Sequence, residues 1–136
     1  MAILSSSAKD KGLLLIRVGI GIMFLFHGFP KISGGPEVWV KLGGAMQYLG
    51  ISLYPAFWGF MAAVAEFGGA ILLIFGFQTK IAAALMCFTM IVASIMHLGM
   101  GDGIKGASHA IELGIVFAGL FLTGPGSISL DAKRVD

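Results

Sequence analysis

Residues 108–114 of the chain read Ser-His-Ala-Ile-Glu-Leu-Gly, and they begin an apolar run that continues to Thr123. His109 and Glu112 are three residues apart, so a helix places both side chains on one face. An ionisable side chain at the centre of a bilayer costs about 2.5–3.5 kcal/mol even on the mildest insertion scale. The stretch therefore predicts a membrane helix whose polar groups need partners from the rest of the chain.

The composition is that of an integral membrane protein. Of the 136 residues, 57% are hydrophobic and 12% are charged, whereas a soluble domain carries about 25% charged residues. The mean hydropathy is +0.95, so we expect membrane lipids around the protein. The net charge of +2 is too small and too scattered to indicate nucleic-acid binding. The single cysteine, Cys87, excludes an intrachain disulfide and a dithiol redox site within these residues.

Four apolar segments are long enough to cross a bilayer, which takes about 20 residues. They comprise residues 12–29, 56–77, 81–100 and 106–123. Between the first two, residues 37–49 carry Trp39, Lys41 and Tyr48, which are typical of a helix at the membrane interface. The sequence thus predicts one all-α domain over residues 1–136, an integral membrane four-helix bundle with a short interfacial helix between spans one and two.

Small residues and positive charges add two further expectations. Alanine and glycine recur every four residues in spans two and four, which favours close helix packing either within the bundle or in a homo-oligomer. Four spans place both termini on one side of the membrane. That side carries five lysine and arginine residues against three on the other, so the positive-inside rule predicts cytoplasmic termini.

The ionisable groups within the spans form the candidate site, and we expect them to line one polar column. The candidate ligand-binding residues are His109, Glu112, His97, His27, Glu66 and Arg17. The three histidines lie within about 5 Å of the same outer surface, because the rise along a helix is 1.5 Å per residue. The carboxyl groups lie deeper, and we expect Glu112 to be buried. Arg17 approaches from the inner side, where it either reaches the aqueous edge or pairs with Glu66.

With these residues in place, the sequence resembles the DoxX family of small bacterial membrane proteins. The resemblance rests on the order and spacing of Arg17-Val-Gly19, His27-Gly28-Phe29-Pro30-Lys31, Glu66-Phe-Gly68-Gly69, Leu73, Gly76-Phe-Gln-Thr79, His109 and Glu112. It implies a four-span protein of the bacterial inner membrane. It also implies a link, for some relatives, to thiosulfate:quinone oxidoreductase or to membrane redox complexes with soluble partners.

One reading of the polar column is a redox-associated subunit with a quinone-like ligand near the outer surface. His109 or His97 would exchange a hydrogen bond with a quinone carbonyl, and Glu112 and Glu66 would relay protons. The sequence contains no flavin, iron–sulfur or haem c motif, so such a subunit would need a redox partner protein. The sequence assigns no catalytic residue and leaves open whether the protein is an enzyme.

Two other readings stay open. In the first, the protein is a non-catalytic assembly factor or scaffold, and the ionisable groups only fix helix packing. In the second, imidazole and carboxylate groups bind a metal ion such as Zn, Fe or Mn, or a small solute. Only His109 and Glu112 have local ligand spacing, so the sequence assigns no metal ligand. A b-type haem between His27 and His97 agrees with their depth alone.

Overall fold

A computed structural model describes residues 6–134, and these residues form an assembly of helices. The helices are α1 (Ala8–Ser33), α2 (Pro36–Gly43), a 3-10 helix (Gly44–Leu49), α3 (Pro55–Phe75), α4 (Thr79–Gly99), α5 (Gly103–Thr123) and α6 (Leu130–Arg134). Four of them, α1, α3, α4 and α5, are long and apolar enough to cross a membrane, and we call them spans one to four. The predicted all-α membrane fold with a short helix between spans one and two is confirmed.

Span one is longer than the sequence indicated. It was expected to stop before Pro30, but the helix continues through this residue to Ser33. A proline removes one backbone donor, and this one lies close to the helix end, where the loss disturbs few further turns. At its beginning, the Ser7 side chain accepts a hydrogen bond from the Asp10 backbone N–H at 3.2 Å. Spans two to four begin and end within three residues of the predicted limits.

Spans one and two pack with their backbones in contact. Gly21 and Gly28 lie two turns apart on span one and are both buried. A side chain at Gly28 would bring its Cβ to 2.9 Å from the backbone N and Cα of Phe67. Only glycine allows this approach, as in other membrane helix pairs that meet through small residues. The contact fixes which face of span one points towards span two.

The connection between spans one and two forms a second layer against the bundle. A side chain at Gly43 would collide with the backbone of Pro55, and one at Gly59 would collide with the backbone of Trp39. Helix α2 therefore crosses the beginning of span two at the closest distance that a backbone permits. The following 3-10 helix places Tyr48 against the last residues of span three. We call this side of the protein the far end.

The core lies along the axis shared by the four spans. It contains fully buried residues from spans two, three and four, namely Ala70, Leu73, Ala82, Ala83, Met86 and Phe117. Span one closes the bundle through Phe24, whose ring lies 5.2 Å from the ring of Phe117 in an edge-to-face arrangement. Such aromatic pairs add about 0.5–1.5 kcal/mol to the burial of their area.

The C-terminal segment folds back over the other side of the bundle, which we call the terminal end. The Ser127 backbone N–H donates to the Asp10 carboxylate at 2.8 Å. The Asp131 backbone N–H donates to the Gly76 carbonyl at 2.9 Å. The first turn of span one and the chain after span four therefore meet at one end, as an even number of spans requires.

Asp131 caps the beginning of span three. Its carboxylate accepts hydrogen bonds from the backbone N–H groups of Gln78 at 2.8 Å and Thr79 at 2.9 Å. These donors belong to the first turn of the helix, which has no internal acceptor for them. Burial would by itself raise the pKa of Asp131, but the two N–H donors outweigh it, and the pKa lies below its usual range.

Candidate functional site

Arg17 lies at the terminal end and is wholly buried. Its guanidinium donates to the Leu73 carbonyl at 3.1 Å and to the Ile128 carbonyl at 2.5 Å. Its Nε has no hydrogen-bond partner within residues 6–134. The expected contact with Glu66 is absent from this part of the chain, and so is the alternative position at an aqueous edge. Arg17 instead joins span one to span two and to the C-terminal segment.

Glu66 pairs with Lys31, a partner that the sequence analysis missed. The Lys31 Nζ lies 2.7 Å from Glu66 Oε2, and the two side chains are 32% and 5% exposed. The Lys31 carbonyl also accepts a hydrogen bond from the Trp39 ring N–H at 2.9 Å. The sequence predicts that span one ends before Pro30, and Lys31 would then lie in a loop. In a continuous helix it follows Gly28 by three residues and shares the face that meets span two.

His97 lies in the last turn of span three. Its Nδ1 lies 2.7 Å from Asp102 Oδ2, and both side chains are more than one-third exposed, at 35% and 39%. The Asp102 backbone N–H also donates to the His97 carbonyl at 3.0 Å. His97 was expected to lie beside the other two histidines, but the structure engages it in this local contact.

His27 and His109 do come together, and we call them the histidine pair. Their ring centroids are 6.0 Å apart, with the ring planes at 57°. Each lies six residues from the far end of its helix, a depth of about 9 Å along the axis. Both are exposed on the surface of the bundle. Within residues 6–134 neither imidazole has a hydrogen-bond partner.

An aromatic contact closes the space beneath the histidine pair. Phe24 lies 5.8 Å from the ring of His27 and 5.2 Å from the ring of Phe117. Both phenylalanines are buried, at 3% and 0% exposure. Spans one and four therefore meet through these two side chains near mid-depth, and towards the far end they present two imidazoles to the surrounding bilayer. We call this meeting of spans one and four the seam.

Glu112 is exposed, contrary to the expectation that it would be buried. It lies nine residues after Gly103, where span four begins, which is about 14 Å along a helix of about 32 Å. Its carboxyl group therefore sits near the middle of the span on the lipid-facing surface. In the described part of the chain it has no hydrogen-bond or ion-pair partner.

The structure also tests the hypotheses that the candidate residues bind a metal ion or a haem. Among residues 6–134, no three His, Cys, Asp or Glu side chains gather as a metal site would require. His97 is held by Asp102 and His27 faces His109, so no pair of imidazoles from spans one and three is arranged to bind a haem iron.

A groove of about 320 Å³ lies on the lipid-facing surface between spans three and four. Its lining is almost entirely apolar and includes Met90, Ile91 and Ile115. The Cys87 thiol donates to the Gly114 carbonyl at 3.5 Å on this surface. None of the six candidate residues lines the groove, so its chemistry is that of a surface for acyl chains.

Comparison with known proteins identifies the family. The DoxX family model matches residues 12–98, which hold Arg17, His27, Glu66 and His97 but end before span four. No solved structure matches the chain.

Three curated proteins are similar over most of their length. Inner membrane protein YqjF of Escherichia coli is 31% identical over 126 residues, covering 90% of this chain and 92% of that protein. Inner membrane protein YphA of Escherichia coli is 34% identical and covers 93% of each. A Bacillus subtilis protein named "Putative oxidoreductase CatD" is 32% identical, covering 88% of this chain and 84% of that protein. With four membrane-spanning helices and relatives in the inner membrane, the chain is a multi-pass membrane protein that belongs to the DoxX family.

Proposed function

We propose that the protein is a redox-associated membrane subunit that binds the headgroup of a lipid-soluble quinone at the histidine pair. The observation that carries the proposal is the position of His27 and His109. Their rings lie 6.0 Å apart at the seam, exposed to the bilayer. Neither imidazole has a hydrogen-bond partner among residues 6–134, so the ring nitrogens of both are available to a ligand that arrives from the lipid.

The chemistry of imidazole suits a quinone. Each ring has one N–H donor and one acceptor nitrogen when neutral, and two donors when protonated. A quinone carbonyl accepts hydrogen bonds from such donors. Reduction to the quinol consumes two electrons and two protons. Imidazole is the side chain that most often transfers protons in catalysis, so the pair can supply protons to the two oxygens.

The electrons must come from a second protein. The sequence has no motif for flavin, iron–sulfur or haem c and only one cysteine. A partner that carries such a cofactor would dock at a membrane surface and reduce the bound quinone. The name of the Bacillus subtilis relative, a putative oxidoreductase, supports a redox setting for this fold. Glu66 takes no part as a proton relay in this proposal, because Lys31 holds its carboxylate.

A quinone titration tests the proposal. The purified protein in nanodiscs is titrated with ubiquinone-1 or a short-chain menaquinone, and binding is followed by quenching of tryptophan fluorescence. We expect saturable binding that weakens at least tenfold in His27→Leu and in His109→Leu. His97→Leu is the matched control, because this histidine lies at the same end but is bound to Asp102. Absence of saturable binding, or an equal loss in the control, would contradict the proposal.

A second candidate function is that of a non-catalytic assembly factor or scaffold. It is favoured by the use of two buried charges in packing, since Arg17 binds backbone carbonyls and Glu66 binds Lys31. Cross-linking in native membranes followed by mass spectrometry should then find one partner at a fixed ratio. The double variant His27→Leu, His109→Leu would support that partner's assembly as well as the wild type does. Loss of assembly in this variant would contradict the scaffold function.

We also propose that both termini face the cytoplasm of a bacterial cell. The supporting observations are the contact of Ser127 with Asp10 at one end and the larger share of lysine and arginine at that end. A C-terminal fusion to green fluorescent protein should fluoresce, and a fusion to alkaline phosphatase should be inactive. The opposite pair of results would reverse the orientation.

A further inference from the structure

We propose that span four is the contact surface of a homodimer, in which the exposed face around Glu112 packs against the same face of a second copy of this chain. The proposal goes beyond the quinone site and does not depend on it.

Glu112 gives the first reason. Its side chain is exposed near the middle of span four, and no group within residues 6–134 satisfies it. Ionisable groups at this depth are costly, and in membrane proteins they face a bundle interior or a partner rather than acyl chains. In the monomer, the Glu112 side chain is exposed to acyl chains and this free-energy cost remains. A second protein surface at this position removes the cost by covering the side chain.

The face around Glu112 gives the second reason. Lys105, Glu112 and Gly119 recur at intervals of seven residues, which is close to two turns, so they lie along one side of the helix. Ser108 lies one turn before Glu112 on the same side, and Thr123 one turn after Gly119. Three of these five residues are exposed and two are half-buried. A polar and small-residue stripe thus faces outward from a span whose residues, apart from His109, are otherwise apolar.

Gly119 leaves room for a close approach. A Cβ added at this position meets no atom of the chain within 4 Å. Glycine is therefore not required here by any contact inside the monomer, unlike Gly28, which meets the backbone of Phe67. A glycine on an outward face lets the backbone of a neighbouring helix approach closely. Its position two turns from Glu112 places that approach on the same stripe.

A second copy is the occupant that this face fits. A two-fold axis along the bilayer normal keeps every residue at its own depth, so Glu112 of one copy meets Glu112 of the other. When both carboxyl groups are protonated, each offers one donor and one acceptor oxygen, so the two groups satisfy each other. A different partner would need a polar side chain at this same depth, whereas a copy of the chain brings one necessarily.

The dimer face and the histidine pair are separate surfaces. His109 and Glu112 are three residues apart, which places them about 60° apart around the helix axis. The rings of His27 and His109 define the seam, and the stripe through Glu112 lies beside it. Dimerisation can therefore be abolished without removing a group that the quinone proposal uses.

The experiment measures the oligomeric state in liposomes by single-molecule photobleaching. We expect two bleaching steps for the wild type and one for Glu112→Leu at the same density, with dimer affinity at least tenfold lower. Glu112→Gln should retain the dimer, because an amide pair also donates and accepts. Gly119→Leu should also give monomers, while Gly19→Leu, a matched glycine in open space on span one, should give dimers.

Two further measurements show that the variants are still folded and that the partner is a second copy of the chain. Gly119→Leu should melt at the wild-type temperature in detergent, since the added side chain meets nothing in the monomer. In a Cys87→Ala background, Ser108→Cys should form an intermolecular disulfide with copper phenanthroline. The proposal would be overturned by any of three results. These are a monomeric wild type, dimers of both Glu112→Leu and Gly119→Leu at the wild-type level, or a cross-link only to a different protein.

Discussion

Arg17 and Glu112 are both ionisable groups inside membrane-spanning helices, but their surroundings are opposite. Arg17 is 0% exposed and donates to the carbonyls of Leu73 and Ile128. Glu112 is exposed and has no partner among residues 6–134. Position within an apolar span therefore does not by itself mark a functional residue. A group whose hydrogen bonds are made inside the chain belongs to the fold, and a group left without them is available to a ligand or a partner.

The largest effect should follow removal of Arg17. Arg17→Met keeps an unbranched apolar stem but withdraws two charge-assisted hydrogen bonds, each worth about 1.5–3 kcal/mol. After allowance for the buried charge that is also removed, we expect the free energy of unfolding to fall by about 3 kcal/mol. Unfolding in mixed detergent measures it. Lys133→Met, at an exposed position of the same end, should change it by less than about 0.5 kcal/mol. Equal effects would mean that Arg17 does not fasten the bundle.

The next effect should come from the Lys31–Glu66 pair. Lys31→Met leaves a 5% exposed carboxylate without its partner, and we expect a loss of about 1–2 kcal/mol, because the lysine is itself one-third exposed and partly screened. A double-mutant cycle with Glu66→Gln should give a coupling free energy of about 1 kcal/mol. A coupling near zero would show that the two side chains do not stabilise each other.

A smaller effect should follow removal of the cap on span three. Asp131→Ala should lower the free energy of unfolding by about 1 kcal/mol, as for other helix caps. The pKa of Asp131 is lower in the folded state than in the unfolded chain, so this contribution is complete above the unfolded value of about 3.9 and is lost as the pH falls through the folded pKa. Unfolding measured at pH 7 and at pH 3 should show a larger difference between wild type and variant at pH 7. A difference that does not depend on pH would contradict the capping role.

The smallest effect on stability should come from the histidine pair. His27→Leu and His109→Leu remove exposed side chains that have no hydrogen-bond partner in the described residues, so the free energy of unfolding should change by less than about 0.5 kcal/mol. The same detergent assay measures it. If either variant lowered the free energy of unfolding as much as Arg17→Met does, these histidines would stabilise the fold, and they would not differ from Arg17.

The four spans were predictable because a bilayer leaves few choices. Backbone groups in hydrocarbon must bond within the segment, so length and hydropathy are enough to locate a membrane helix. Depth predicted that His27, His97 and His109 lie together, but only His27 and His109 meet, because residues at one depth approach each other only where their helix faces point towards one another. The limits of span one did not follow, because Pro30 near a helix end disturbs few hydrogen bonds and the sequence does not show which prolines are tolerated.

The sequence could not show which groups the buried side chains bind, or how each span is rotated about its axis. Arg17 binds the carbonyls of Leu73 and Ile128, and carbonyls are present at every residue, so no pattern marks these two. Lys31 reaches Glu66 across 35 positions because two glycines allow spans one and two to touch. The exposure of Glu112 depends on how span four is rotated about its axis. That angle is set by packing against the neighbouring spans rather than by the composition of the helix itself.

The hydrogen bond from Arg17 to the carbonyl of Ile128 joins residues 111 positions apart in the chain. During synthesis, span one leaves the ribosome and enters the membrane long before residue 128 is made. For that interval its guanidinium lacks one of the two acceptors that it has in the finished protein. The terminal end of the bundle is therefore completed only when the C-terminal segment folds back over it, and a chain that ends before residue 128 should be less stable than the full chain.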